Sequence, residues 1–481
     1  MTSASGRPPT TGTRHNPLAG LPAALTRCER AARGIDLAAL QRAGLSSAAR
    51  PAPLGELYPP RALMHEMSPD ELYAGATPVV DLQLEIPLDG SLSPRGDRIA
   101  TYLQMLAREI AFAAARLPRG IVVRSLRVSG GCASYLRPNQ IERLFAQLRA
   151  SLRVAPGAPL SYELRPSFAR EAGAHARLDA LHACGVDRLE LSLCSLDERV
   201  LRQLRRGYTP REVHQLLALL SARGDAFRFG VAVTYGLPYQ TLASWYSTLA
   251  QLTAAGVDEI TPRVLISSAE LGSSRQALPD EHARLLMHLM ARAALDEPGY
   301  RETACGRWQR RDLAPTADET LSHEQHNVLG LGLGAVGYIG DTQYRNVDDL
   351  APYARRLERN VSPLAAGVSL DFDERVRRSA IVSLRGAGIC RDEMLERYGF
   401  DAPVQLADEV EPLAMLGLID VERDHLSLTS LGRLYVEDVA ARLASPGARE
   451  ALQRVLPFAA RRRHRAPRTD ASLRARITAT A

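Results

Sequence analysis

From Val79 to Ile266, short apolar runs alternate with single amphipathic helices, and nothing else in the chain constrains its fold so strongly. The first run, VVDLQLEI, starts at Val79 and leads into a polar loop, PLDGSLSPRG, ending at Gly96. Further runs at 121–128, 160–164, 188–193, 227–235 and 259–266 read as strands. The stretches 102–115, 138–152, 174–184, 200–223 and a last one reaching Ala255 read as helices. Strands joined by one crossover helix pair in parallel. The pattern therefore predicts an α/β fold, a partial (β/α)6 barrel with its ligand pocket in the loops after the strand C-termini.

Residues 1–60 are rich in Pro, Ala, Arg and Gly and read as an arm carrying one helix over 21–43. The barrel is expected over 61–347 and a small end domain over 348–445. Beyond Asn346 the pattern turns helical, with a hairpin formed by 418–421 and 426–429, which suggests a winged-helix-like unit. Residues 446–481 read as an arginine-rich tail. The glycine-rich run GLGLGAVGYIG at 330–340 lacks the strand–turn–helix context of a dinucleotide cradle, so its glycines are expected to allow close backbone approach.

The chain contains no lysine, and all 60 basic residues are arginine. Schiff-base chemistry and a phosphate-loop lysine are thereby excluded. The net charge of +6 is modest and concentrated in RRRHRAPR at 461–468, so nucleic acid is not an expected partner. No apolar run reaches the length of a membrane span, and the N-terminus lacks a signal-peptide core, so the expected location is cytoplasmic. The 6 cysteines stand far apart, at 28, 132, 184, 194, 305 and 390, with no CxxC among them.

Several segments, taken in order, resemble the oxygen-independent coproporphyrinogen III oxidases of the radical SAM superfamily. They are SGGCASYL from Ser129, YGLPYQT from Tyr235, IGD from Ile339 and LTSLGRL from Leu428. The resemblance implies a barrel holding a [4Fe–4S] cluster on three cysteines of a HIPFCxxxCxxC loop, with S-adenosylmethionine bound to the fourth iron. Here Glu85-Ile86-Pro87-Leu88 matches HIPF, but the cysteine positions hold Asp89, Ser93 and Gly96. A carboxylate, a hydroxyl and a hydrogen do not replace three thiolates, so the cluster is not expected. Of the family's adenosylmethionine contacts, the resemblance retains Gly130, Gly131, Glu163 and Arg206. A glutamine and an aspartate have become Cys194 and Ala232, which leaves adenosylmethionine binding open.

Other residues carry competing readings. Cys132, Cys194 and Cys305 each follow a predicted strand and are weak metal candidates beside a reading as small buried hydrophobes. His323 and His326 suit a metal or haem less well than an ordinary loop, and Asp89 with Glu163 is a minor acid–base candidate. Arg206, Arg263, Arg307 and Arg345 are candidates to pair ligand carboxylates. The expected function is that of a degenerate family member without radical chemistry, binding a tetrapyrrole or other carboxylated small molecule or serving a protein partner. The alternatives are an active radical enzyme with an atypical cluster site, and a docking protein that uses its arm and tail.

Overall fold

The computed structural model describes residues 16–48, 58–73, 79, 81–88, 98–266, 271–303, 306–313, 327–399 and 401–461. Asp89, Ser93, Gly96, Cys305, His323 and His326 lie outside the described residues.

Six parallel strands form the centre: β1 (Asp81–Pro87), β2 (Val122–Ser129), β4 (Leu160–Leu164), β5 (Arg188–Leu193), β6 (Arg228–Tyr235) and β7 (Glu259–Val264). A short β3 (Arg153–Val154) adds to β2. Beyond β7 the sheet continues antiparallel through β9 (Trp308–Arg310) to β8 (Tyr300–Glu302). On the other side β10 (Asn327–Gly330) pairs parallel with β1. It is followed by β11 (Val336–Ile339), β12 (Thr342–Asn346) and β13 (Leu364–Ser369), all antiparallel. The 13 strands make one sheet that ends in β13 and β8, an open barrel rather than a closed one among the described residues.

Alternation along the strands decides what faces where. In β1, Leu82, Leu84 and Ile86 are buried, while Gln83 and Glu85 point to the less covered side. The buried side is covered by helices whose apolar stripes contribute Met105, Leu106 and Ile110, then Leu144 and Leu148, then Leu216 and Leu220, then Trp245 and Leu249. Helix starts follow local chemistry. Thr209 and Thr241 cap Pro210–Ser221 and Leu242–Ala254, each in a reciprocal capping box with the residue three positions on.

Several boundaries differ from expectation. The predicted 21–43 helix is two helices, Leu21–Ala32 and Leu37–Arg42, because Asp36 accepts from the Ala39 amide and starts a new one. The arm is also no loose appendage in its described part, since Ala24 and Cys28 are buried and Arg27 pairs with Glu297. The 200–223 stretch divides into Glu198–Gln203 and Pro210–Ser221, with Arg205 at φ 51 between them. The main sheet runs on to Ser369, so it does not stop at residue 347. The supposed tail begins with a helix, Pro446–Arg461, whose Ala448 and Ala451 are buried.

The end domain contains helices Phe372–Arg385, Arg391–Tyr398, Ala407–Met415, Ser430–Leu434 and Val436–Leu443. They pack on a three-stranded sheet of β14 (Ile389–Cys390), β16 (His425–Leu428) and β15 (Ile419–Val421). The predicted hairpin is the β15–β16 pair.

Candidate functional site

A cavity of about 840 Å³ opens between the barrel lumen and the end domain. Its barrel wall carries Glu85 of β1, Thr234 of β6, Thr261 and Arg263 of β7, Arg307 and Trp308 at β9, and Val336 and Tyr338 of β11. The facing wall is Arg378, Ile381 and Arg385 of helix Phe372–Arg385, with Ser430 and Arg433. Arg292 and His288, from helix Glu281–Asp296, complete it. Six arginines line the space against two glutamates, Glu85 and Glu302, so the lining carries more positive than negative groups, several of them paired with glutamates on or just behind the wall.

Inside the lumen the charges are laced together. Arg127 bonds Glu190 at 2.7 Å and stands 3.8 Å from Glu85. Arg188 bonds Glu259 at 2.7 Å with both side chains buried, and Arg307 shares the same glutamate at 3.6 Å. Nearer the end domain, Arg433 pairs with Glu302, which Arg292 reaches at 4.0 Å. Arg378 lies 3.6 Å above the Tyr338 ring centroid. Arg385 bonds Glu437 at 2.6 Å.

His288 links the two units. Its Nδ1 is 2.9 Å from the Tyr235 hydroxyl and its Nε2 is 3.1 Å from Ser430 Oγ. Burial pushes its pKa down to about 4, so at neutral pH the ring is uncharged and adds nothing to the cationic wall. Apolar side chains fill the rest of the lining, among them Val264, Leu265, Val328 and Leu428. Charged groups set around apolar walls suit a largely apolar small molecule bearing acidic groups.

The residues carried over for adenosylmethionine lie elsewhere. Glu163 Oε2 accepts the Gly130 amide at 2.8 Å, so the structure brings these two together. Gly130 has φ 90, and a Cβ there would come 2.3 Å from the Leu88 carbonyl oxygen. Its conformation therefore serves the packing of β1 against the loop after β2. Gly131 lies beside the Arg165 side chain. Arg206 is exposed and lines no part of the cavity, and Arg345 is engaged with Asp348 at 3.2 Å. Cys194 is half-buried after β5, where its amide donates to the Tyr208 hydroxyl at 2.8 Å. Burial raises its thiol pKa.

Cys132 is buried beyond β2, its amide donating to the Leu88 carbonyl at 3.1 Å. No group of three or more metal-ligating side chains occurs among the described residues. Of the four arginines expected to pair carboxylates, the cavity brings together Arg263 and Arg307. Arg292 joins them from a barrel helix, and Arg378, Arg385 and Arg433 from helices of the end domain, which no strand pattern could have signalled.

The sequence profile of the radical SAM superfamily matches residues 96–252. The chain is 27% identical over 371 residues to the oxygen-independent coproporphyrinogen III oxidase of Pseudomonas aeruginosa, covering 71% of this chain and 78% of that protein. It is 26% identical over 371 residues to the heme chaperone HemW of Mycobacterium tuberculosis, covering 74% and 87% respectively. The solved coproporphyrinogen III oxidase HemN of Escherichia coli superposes with a TM-score of 0.69 at 22% identity, over 85% of this chain and 98% of that one. Ordered motifs, the matched profile and a shared architecture over most of the chain agree: residues 96–252 match the radical SAM superfamily, and the chain is similar over most of its length to the oxygen-independent coproporphyrinogen III oxidases.

Proposed function

We propose that this protein binds a tetrapyrrole or similar carboxylated macrocycle in the cationic cavity, in the cytoplasm, and does so without radical chemistry. The observation that carries the reading is the combination of six cavity arginines with a loop holding Asp89, Ser93 and Gly96 at the cluster positions. No cysteine stands between Cys28 and Cys132, so the segment after β1 has no thiolate to give an iron–sulfur cluster. The donor set does not fit the cofactor. Cys194 and Ala232, in place of two polar contacts, also make a poor receptor for adenosylmethionine. A cavity of about 840 Å³ lies within the usual range for a small-molecule site, roughly 300–1,000 Å³. Similarity to proteins named for coproporphyrinogen and for heme supports the ligand class.

The test is anaerobic reconstitution with iron and sulfide, followed by iron counting and titration with coproporphyrin III. The expected outcome is a colourless, folded protein that then takes up the porphyrin. About four irons per chain, with a broad visible band that bleaches on reduction, would sink the reading. Radical chemistry through an atypical cluster would take its place.

A further inference from the structure

Arg263 stands apart from the other charged groups of the lumen. Arg127, Arg188 and Arg307 each have a glutamate within 4 Å, whereas the Arg263 side chain has no ion pair and no hydrogen bond among the described residues. It lies on β7 opposite Thr234 of β6, on the face that also carries Thr261, and it is exposed to the cavity it lines. Trp308 pairs with Ile260, so continuing that register sets Arg307 beside Thr261 and diagonal to Arg263. Diagonal neighbours across a sheet are roughly 7–8 Å apart, within reach of two long side chains converging on one group. Burial and then the nearby Arg127 charge pull the Arg263 guanidinium below its ordinary pKa, with Arg307 adding to the effect and the Glu190 and Glu163 carboxylates opposing it without cancelling it. Arg307 already has Glu259 at 3.6 Å, so of the two it is Arg263 that has no ion-pair partner among the described residues.

We infer that Arg263, with Arg307 beside it, receives a carboxylate of the bound molecule. The ligand then enters with one acidic edge in the barrel lumen and its apolar face against Ile381, Leu428 and Trp308. The assignment rests on the cavity reading above and adds to it a defined end of the ligand. A planar guanidinium with no protein acid can pair both carboxylate oxygens, which is a geometry that lysine does not reproduce.

Binding of coproporphyrin III to the full chain can be read from quenching of Trp308, which lines the cavity while Trp245 is fully buried. Arg263→Gln is expected to weaken binding on the order of 10- to 100-fold, and Arg263→Lys to recover only part of the loss. Arg345→Gln, whose side chain is off the cavity, leaves affinity unchanged. The tetramethyl ester, which has no carboxylate, is expected to bind wild type and Arg263→Gln equally. Equal binding of the free acid by wild type and Arg263→Gln would overturn the inference and leave the cavity reading standing.

A second measurement separates the two claims. Phenylglyoxal is expected to modify Arg263 ahead of the buried Arg188, with benzoate protecting it. If coproporphyrin fails to bind wild type but benzoate still protects Arg263, the tetrapyrrole reading falls and the carboxylate receptor stands. Absence of protection by either acid would overturn the receptor.

Discussion

Glu109 is the residue whose surroundings make the sharpest demand. It is 3% exposed and takes hydrogen bonds from the Gly332 amide at 2.8 Å, from Asn346 Nδ2 at 2.6 Å and from the Tyr353 hydroxyl. Burial outweighs these donors and pushes its pKa up to about 7, from an ordinary 4.5. Between those values the folded chain keeps the proton and the unfolded chain has lost it. Stability from this group therefore falls as pH rises from 4.5 to 7 and is flat above. The expected size is about 3 kcal/mol at most. Urea midpoints measured from pH 5 to 8 should decline in wild type, and the decline should flatten in Glu109→Gln, where Asn346 can turn its carbonyl to the new amide. Parallel curves would show that another group governs the slope. The signal was present in the sequence, because position 109 falls on the same helical stripe as Tyr102, Met105, Leu106 and Ile110. An acid on an apolar face marks a buried network. Arg263 was legible for a similar reason, as a charge on a β-rich run, whereas Arg307 was one arginine among four candidates. Arg206 and Arg345 were not separable from them, since spacing says that a residue leaves a strand end but not which cavity it meets.

At the scale of elements, the strands came through because period-two burial survives in the residue types themselves. β4 and β5 have the predicted bounds, 160–164 and 188–193, and β6 loses only Phe227. The antiparallel additions β8 to β13 were harder to see, being short and dependent on neighbours distant in sequence. The glycine-rich run is a case in point. It forms the β10–β11 hairpin, and Gly330 lies so near β11 that a Cβ would be 2.1 Å from the Val336 carbonyl oxygen. Backbone leaves no flexible neighbour to move aside, so Gly330→Ala should cost on the order of 1–3 kcal/mol as overpacking. Gly207→Ala, with nothing within 4 Å of the added carbon, is the matched neutral change. Thermal melts of the two variants decide the matter: equal midpoints would mean that β10 and β11 do not approach so closely. The same crowding explains why the run cannot serve as a phosphate cradle, since its glycines are spent on strand packing.

Across the whole molecule, the two ends of the described chain close over the junction that forms the cavity. The Ser47 amide donates to Glu281 at 2.8 Å and the Ser46 amide to Asp438 at 2.9 Å, while Tyr435 bonds the same Glu281 at 2.7 Å. Tyr58 bonds Glu374, and Ser445 donates its amide to the Tyr58 hydroxyl at 3.0 Å. The arm thus ties barrel helix Glu281–Asp296 to the end domain. Pro446–Arg461 continues from this knot: the Ala448 amide donates to Ser445 Oγ at 3.0 Å, and Ala448 is wholly buried. Cutting at 446 would therefore remove packed structure along with any docking tail, and loss of a partner would not reveal the cause. A cut after Arg461 tests docking more cleanly. Deletion of 462–481 is expected to leave the melting temperature and coproporphyrin affinity at wild-type values. Deletion of 446–481 should lower the melting temperature by several degrees through lost burial and a lost cap. Equal melting of both truncations would show that the helix adds nothing to the fold. If deletion of 462–481 already abolishes partner capture while the protein keeps its melting temperature and the porphyrin, docking and ligand binding are separate functions, one of the tail and one of the cavity.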